Sequence, residues 1–354
     1  MLTPLIGLNT SELCALVKQE GEPAYRGQQL ARWIYRQGAH TIQEMTDLSR
    51  PLRARLEEKY QVGRARVAAQ QRSRDRTVKL LLALHSEEEG VPYTVETVGL
   101  PYSEYLSCCV STQVGCPVRC AFCATGRSGY SRNLTAGEIV DQVLTVQEAA
   151  RDNPPPLDRV SHVVFMGMGE PLMNYDATLG AVRLLNQEVG IGMRHLTVST
   201  VGYVPGIRRL AKEKLQLTLA VSLHAPNDQL RQQLIPTMTR WGLDEILDAC
   251  RAYFQQTGRR LTFEYCLLDG VNDNIKQAQE LARRLRGLNC HVNLIPYNPV
   301  GGTGFAAPAP LRVKGFREAL ERAGIVVTQR AQKGADIDAA CGQLRRREMG
   351  KRAG

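Results

Sequence analysis

The chain has 354 residues, 43% of them hydrophobic, and 45 Lys and Arg against 35 Asp and Glu leave a net charge of +10. That composition fits a soluble globular protein, and no apolar run approaches the roughly 18 residues a membrane span requires. Its ten cysteines, with no targeting segment in view, are expected in a reducing cytoplasm as thiols, ligands or catalysts rather than as disulfides. The basic excess points to an anionic partner. The length suits a core of about 200 to 250 residues with an appendage.

From Met1 to about Tyr60 the pattern is helical. SELCALVKQ opens on a Ser that can cap a helix, and RGQQLARWIYRQG spaces Leu30, Trp33 and Ile34 at helical intervals before a Gly stop. Between Arg26 and Lys79 lie 13 Lys and Arg against 5 Asp and Glu, a local balance of +8. A solvated helical face is the commonest use of such charge, but its concentration in one segment favours RNA contact. Residues 1–75 are therefore expected to form a small helical, basic RNA-binding appendage. TVKLLLALHS, VPYTVETVGLP and YLSCCVSTQ read as strands, giving a β linker over 76–107 before a core over 108–335 and a tail over 336–354.

The stretch CPVRCAFC places Cys116, Cys120 and Cys123 at spacings of four and three residues. A structural zinc site recruits a fourth ligand and a zinc ribbon wants paired CxxC knuckles. Three thiolates on a [4Fe-4S] cubane leave one iron open to a small molecule, which is what a catalytic cluster needs. CxxxCxxC with Phe122 before the last Cys resembles the radical S-adenosylmethionine (radical-SAM) enzymes. The resemblance implies that the open iron chelates SAM and that an electron from the cluster yields a 5'-deoxyadenosyl radical.

After this loop, strand patterns at VSHVVFMGMG, RHLTVST, LQLTLAVSLH, RLTFEYCLL and CHVNLIPYNP alternate with helical stretches such as LDEILDACRAYFQQTG. Alternation predicts a parallel sheet, and about six units predict an α/β fold with a partial (β/α)6 barrel. Ligands of such sheets sit at the strands' carboxyl ends. There lie GMGEP, with Gly169 and Glu170, and also Ser199, Ser222, His224 and Asn298. Taken one at a time, Ser199, Ser222, His224 and Asn298 read better as turn residues and a satisfied core histidine.

SCCVSTQVGCPVRCAFC, VVFMGMGEPL, AVSLHAPND, LIPYNP and DIDAACGQL together resemble the RlmN/Cfr family, radical-SAM methyltransferases of adenine in RNA, over nearly the whole chain. The resemblance implies SAM contacts from Gly169, Glu170, Ser199, Ser222, Leu223, His224 and Asn298, and singles out two further thiols, Cys109 and Cys341. By residue chemistry alone Cys341 would be a small buried hydrophobe. By resemblance, one SAM methylates Cys341, a second yields the radical that activates the S-methyl group, and the resulting methylene joins enzyme to RNA. Release uses Glu96 as proton acceptor and Cys109 as resolving thiol, which forms a transient disulfide with Cys341. Read without the family, Glu96 is a charged, solvated strand residue. The implied substrates are an adenine of 23S rRNA in the peptidyl-transferase region and a purine beside the tRNA anticodon, methylated at carbon 2. The implied electron donor is a flavodoxin or ferredoxin, and the implied state is a monomer with no membrane partner. Carbon 8 methylation, another radical-SAM activity and a non-catalytic RNA-binding iron-sulfur protein remain alternatives.

Overall fold

Apolar strand runs that alternate with amphipathic helices settle into a parallel sheet with the helices packed on its outer face, and that is where the strands of the second half lie. The computed structural model describes residues 2–84 and 93–344, in which ten strands make one sheet. Seven are mutually parallel. In spatial order they are Val326–Gln329, Cys290–Pro296, Leu261–Leu267, Thr218–Ser222, Leu196–Thr200, Val160–Phe165 and Leu106–Cys109. Six of them are each followed by a helix that packs back on the sheet, and the order is linear, so the barrel stays open as expected for a partial (β/α)6 fold.

Local sequence explains the helices. Thr135 and Glu138 form a reciprocal capping box at the start of Ala136–Ala149, and Asn274 and Gln277 form another before Ile275–Leu285. Each helix turns one apolar face inward. Val163, Val198, Leu219, Phe263 and Val292 from the strands meet Ile139, Val143, Ile207, Ile246 and Leu281 in a single core. Each such side chain contributes about 1.5–3 kcal/mol by leaving water.

The sheet does not stop at the parallel strands. Thr94–Pro101, Val78–Ala83 and Arg66–Arg72 continue it antiparallel, so the boundaries expected near 75 and 107 fall inside one sheet. Arg66–Arg72 escapes a sequence reading because six of its seven residues are exposed, leaving no alternation to detect.

The N-terminal helices are Thr10–Gln19, Tyr25–Arg32 and Arg50–Lys59. The first is capped by Asn9 and not by Ser11: the Asn9 side chain accepts from the Glu12 amide while Glu12 accepts from the Asn9 amide, so the helix is already under way at Ser11. Gly27 allows the first two helices to touch, since a Cβ there would stand 2.4 Å from the Cys14 amide nitrogen. The helical unit is fastened to the core. Within it Tyr35 donates its hydroxyl to the Leu8 carbonyl at 2.7 Å, and across to the core Arg36 reaches the Val189 carbonyl at 2.7 Å and Thr10 bonds Glu188.

The positive balance is smaller than the charges over Arg26 to Lys79 imply. Many of those cations form ion pairs, Arg32 with Asp47, Arg55 with Glu22, Lys59 with Glu20, Arg64 with Asp141 and Lys79 with Glu96. Glu20 and Glu22 precede that stretch. Arg66, Arg72, Arg74 and Arg76 are exposed on the edge strand and its turn, where Arg72 donates to the Ala149 carbonyl at 2.7 Å.

Arg64 and Asp141 are both almost wholly buried, and burial pushes the Asp141 carboxyl up against the pull of Arg64 and of the Ala65 amide. A buried pair of this kind is costly to break but not to replace whole. Arg64→Met is expected to lower urea-unfolding stability by about 3 kcal/mol, while the Arg64→Met/Asp141→Leu double variant recovers most of that loss.

Candidate active site

One cleft opens at the carboxyl ends of the parallel strands, and the residues singled out from sequence converge on it. Cys109, Cys116, Cys120, Phe122, Cys123, Gly169, Glu170, Ser199, Ser222, His224, Asn298 and Cys341 all line its wall. Two do not. Leu223 is buried in the core with its amide bonded to the Glu264 carbonyl at 3.1 Å, so it can meet a ligand through its backbone alone. Glu96 lies behind the wall, its amide against the Met168 sulfur.

The loop that carries three of the thiols is held by backbone. Gly115 adopts φ +80°, and a Cβ there would stand 1.9 Å from the Gly129 carbonyl, whose oxygen also accepts from the Cys116 amide at 2.8 Å. Arg119 takes a left-handed conformation, and the Ala121 and Cys123 amides bond Leu234 and Cys120 carbonyls. Among the described residues no three His, Cys, Asp or Glu side chains converge as ligands of a single ion. Three thiols from one loop facing one cleft match the count that a [4Fe-4S] cubane with one open iron needs. Burial pushes the Cys116 thiol up to about 12 and Cys120 well above its usual range, with the neighbouring thiols adding to it. Arg231, itself buried, acts against this at Cys120, and its Nε has no hydrogen-bond partner among the described residues. A cationic iron core would supply the compensation these thiolates lack, so the donor set fits a [4Fe-4S] cluster.

Around this loop the polar groups have defined tasks. Gly169 has φ +107°, and a Cβ there would collide with Gln113 and Thr112. The Glu170 carboxylate accepts from the Val201 amide at 2.7 Å and the Leu172 amide at 3.1 Å, yet burial still raises its pKa to about 7. His224 is left-handed at φ 60°, accepts the Cys266 amide at Nδ1 (2.9 Å) and stacks edge-on with Phe122 at 5.0 Å. Burial lowers its pKa to about 3, so the ring is neutral and Nε2 carries the proton.

Cys341 is not the buried hydrophobe that its chemistry alone suggests. It is exposed to the cleft on a tail pinned at several points. Asn298 donates to the Cys341 carbonyl at 3.2 Å, the Ala124 amide to the Gly342 carbonyl at 2.9 Å, and Lys79 to the Asp338 carbonyl at 3.1 Å. Burial pushes the Cys109 thiol up to about 12, the cleft walls around the accessible Cys341 push its thiol up as well, and the Arg330 guanidinium pulls both down. Burial works against a charged Arg330, but Cys341, Glu264 and Cys109 around it outweigh that and raise its pKa. Glu96 is buried and faces Lys79 at 3.6 Å, not solvated as its sequence context suggests.

Sequence reasoning missed Arg330, Glu264 and Cys266. Glu264 and Cys266 belong to a strand read correctly; the carboxyl-end rule reaches Cys266 near its end, whereas Glu264 sits mid-strand and gives no such signal. Arg330 follows the exposed edge strand Val326–Gln329, which no pattern announces.

Comparison with known proteins agrees with this geometry. Residues 110–282 match the radical SAM superfamily and residues 3–62 match the ribosomal RNA large subunit methyltransferase N-terminal domain. A protein of Thermosynechococcus vestitus named "Probable dual-specificity RNA methyltransferase RlmN" is 51% identical over 98% of this chain and 99% of its own length. One of the same name from Gloeobacter violaceus is 52% identical over 99% and 97%. The chain belongs to the RlmN family of radical-SAM RNA methyltransferases. A crystal structure of a radical SAM methyltransferase from Sphaerobacter thermophilus superposes with a TM-score of 0.92 at 46% identity, covering 97% of this chain and 99% of that one. That likeness extends over the open barrel and the helical N-terminal unit alike.

Cys116→Ala, Cys120→Ala and Cys123→Ala proteins are each expected to lose iron loading after anaerobic reconstitution, because each removes one of the three loop thiols that would hold the cluster. Iron and sulfide analysis with the visible absorption band checks this. Stoichiometric cluster in the Cys120→Ala protein removes the ligand assignment.

Proposed function

We propose that this RlmN-family enzyme methylates carbon 2 of an adenine in the peptidyl-transferase region of 23S rRNA, and of the purine beside the tRNA anticodon, with Cys341 as methyl carrier. When bound, the cluster and two molecules of SAM per turnover supply the methyl group and the carbon radical. The observation that carries the reading is that Cys341 and Cys109 open onto the same cleft as the three ligand thiols and share one guanidinium, Arg330.

In this reading each side chain has one task. Glu170 accepts the SAM ammonium, the Gly169 backbone admits it closely, and Ser199, Ser222, His224, Asn298 and the Leu223 backbone fix the rest of the cofactor. Arg330 favours the thiolate of Cys341 when it accepts a methyl group and of Cys109 when it attacks. After the methylene radical joins the base, the adduct gives up its ring proton to Glu96, which faces the Lys79 ammonium at 3.6 Å, and its unpaired electron, which a bound cluster would accept. Cys109 then attacks the Cys341 sulfur: an S–S bond replaces the S–C bond, the electron pair left on the methylene carbon takes up a proton to complete the methyl group, and the methylated RNA leaves. Exposed Arg66, Arg72, Arg74 and Arg76 contact phosphates beside the cleft, and their turn is tied to the tail through Ser73 and Asp336 at 2.6 Å. No helix of the described residues is long and apolar enough to cross a membrane. In this proposal the enzyme works in the cytoplasm as a monomer reduced by a flavodoxin or ferredoxin.

Cys109→Ala protein should accumulate a covalent protein–RNA adduct, seen as a shifted band that nuclease digestion reduces to a single-nucleotide mass on Cys341. Free RNA and unmodified protein would mean that Cys109 is misassigned, and a nucleoside digest of wild-type product containing 8-methyladenosine alone would replace carbon 2 by carbon 8. The SAM ammonium needs an ionised Glu170, whose carboxyl titrates near 7. SAM affinity should therefore rise from about pH 6 to about pH 8 in the wild type and be weaker by about tenfold and flat with pH in Glu170→Gln. Replacing Arg72, Arg74 and Arg76 by Ala should lower the slope of log affinity for RNA against log salt by about 0.7–0.9 for each phosphate no longer neutralised.

A further inference from the structure

At the rim of the cleft four rings stand in contact. Tyr102 stacks on Tyr105 at 4.6 Å and 21°, Tyr105 meets His162 at 4.1 Å, and His162 meets His195 edge-on at 4.2 Å. Hydrogen bonds fix the row. His195 Nδ1 lies 2.6 Å from His162 Nε2, His162 Nδ1 lies 3.0 Å from the Ser161 hydroxyl, and the Tyr102 amide donates to the Tyr105 carbonyl at 2.9 Å across the turn. Tyr102 ends the row inside the cleft, together with Lys333, Arg330 and Cys341. Tyr105 covers one face of Tyr102. The Lys333 ammonium also lies over this ring, 5.2 Å from its centre.

We propose that Tyr102 is a stacking platform for the RNA base next to the target adenine and that Lys333 clamps the adjoining phosphate; this deepens the RNA-methyltransferase reading and rests on it. An adenine drawn into the cleft must bring its flanking nucleotides across this rim. Bases stack on aromatic faces whatever their identity, and a row of rings fixed by mutual contacts presents its last face without ordering cost. Lys333 holds the ring by a cation–π contact in the free protein. An arriving base takes its place, and the ammonium moves to the phosphate that arrives with it. Exposed Glu104 on the same turn repels phosphate and keeps the backbone on the Lys333 side.

The test is binding, read without turnover. A short RNA hairpin with one loop adenine flanked by 2-aminopurine is titrated into reconstituted wild-type enzyme and Tyr102→Phe, Tyr102→Trp, Tyr102→Leu, Lys333→Arg and Lys333→Ala proteins. Thermal unfolding and iron content establish that each variant is folded. Wild type, Tyr102→Phe and Tyr102→Trp are expected to quench the 2-aminopurine, and Tyr102→Leu, which keeps bulk but no π face, to lose the quench and about tenfold in affinity. Lys333→Ala should lower the salt slope by about 0.7 while Lys333→Arg keeps it. Full quench and affinity in Tyr102→Leu overturns the platform. Unchanged RNA binding with weakened capture of flavodoxin reassigns the rim to the electron donor and also overturns it. If wild type binds the hairpin with this dependence but methylates no RNA, the function proposed above falls and the platform stands.

Discussion

A parallel sheet has all its carboxyl ends on one side, and that single constraint places the chemistry of this protein. Seven consecutive strands end at the cleft, and each delivers a functional group there. In spatial order these are Arg330 after Val326–Gln329, Asn298 after Cys290–Pro296, Cys266 in Leu261–Leu267, Ser222 in Thr218–Ser222, Ser199 in Leu196–Thr200, Gly169 and Glu170 after Val160–Phe165, and Cys109 in Leu106–Cys109. Register makes the arrangement rigid. Val163 and Val164 pair with Cys108 and Cys109 on one side and with Leu196 and Thr197 on the other, so a slip of one residue would turn every side chain to the opposite face.

The electrostatics follow from how much of this edge is buried. Cys109, Cys116, Cys120 and Glu170 are all raised by burial, so the bare protein favours the neutral thiols and holds Glu170 near its midpoint. The cations set against them are Arg231 beside the ligand loop and Arg330 beside Cys109 and Cys341. The division separates tasks. Arg231 acts on Cys120, one of the three thiols proposed to hold a cluster, whereas Arg330 serves two thiols that, in the proposed reaction, must each be ionised at a different step. Cluster ligation and methyl carriage would therefore draw on different charges within one cavity.

Much of this was legible in the residues. The spacing of Cys116, Cys120 and Cys123 and the β/α alternation identified the fold, and the strand-end rule found Glu170, Ser199, Ser222 and Asn298 on the cleft. What stayed hidden depends on pairing between distant segments. Glu96 looks solvated until Thr94–Pro101 is set antiparallel to Val78–Ala83, which puts Leu81 opposite it and Lys79 within reach. The basic excess over residues 26–79 could not reveal that Arg64 is spent on Asp141, 77 residues away. Arg330 was invisible because its strand lies at the sheet's edge, where exposed residues carry no period.

The tail that brings Cys341 into the cleft has a consequence for how the protein is made. Its contacts close very long loops: Ser73 with Asp336 spans 263 residues, Lys79 with Asp338 spans 259, and Thr125 with Leu344 spans 219. Contacts of such separation form late, after the sheet they close upon, because loop-closure entropy is lost before they return any enthalpy. During synthesis from the N-terminus, the helical unit and most of the sheet emerge well before residues 336–344. Cys341 is thus among the final parts to dock, and a nascent chain can hold a folded scaffold and a complete ligand loop while still lacking the thiol proposed to attach it to RNA.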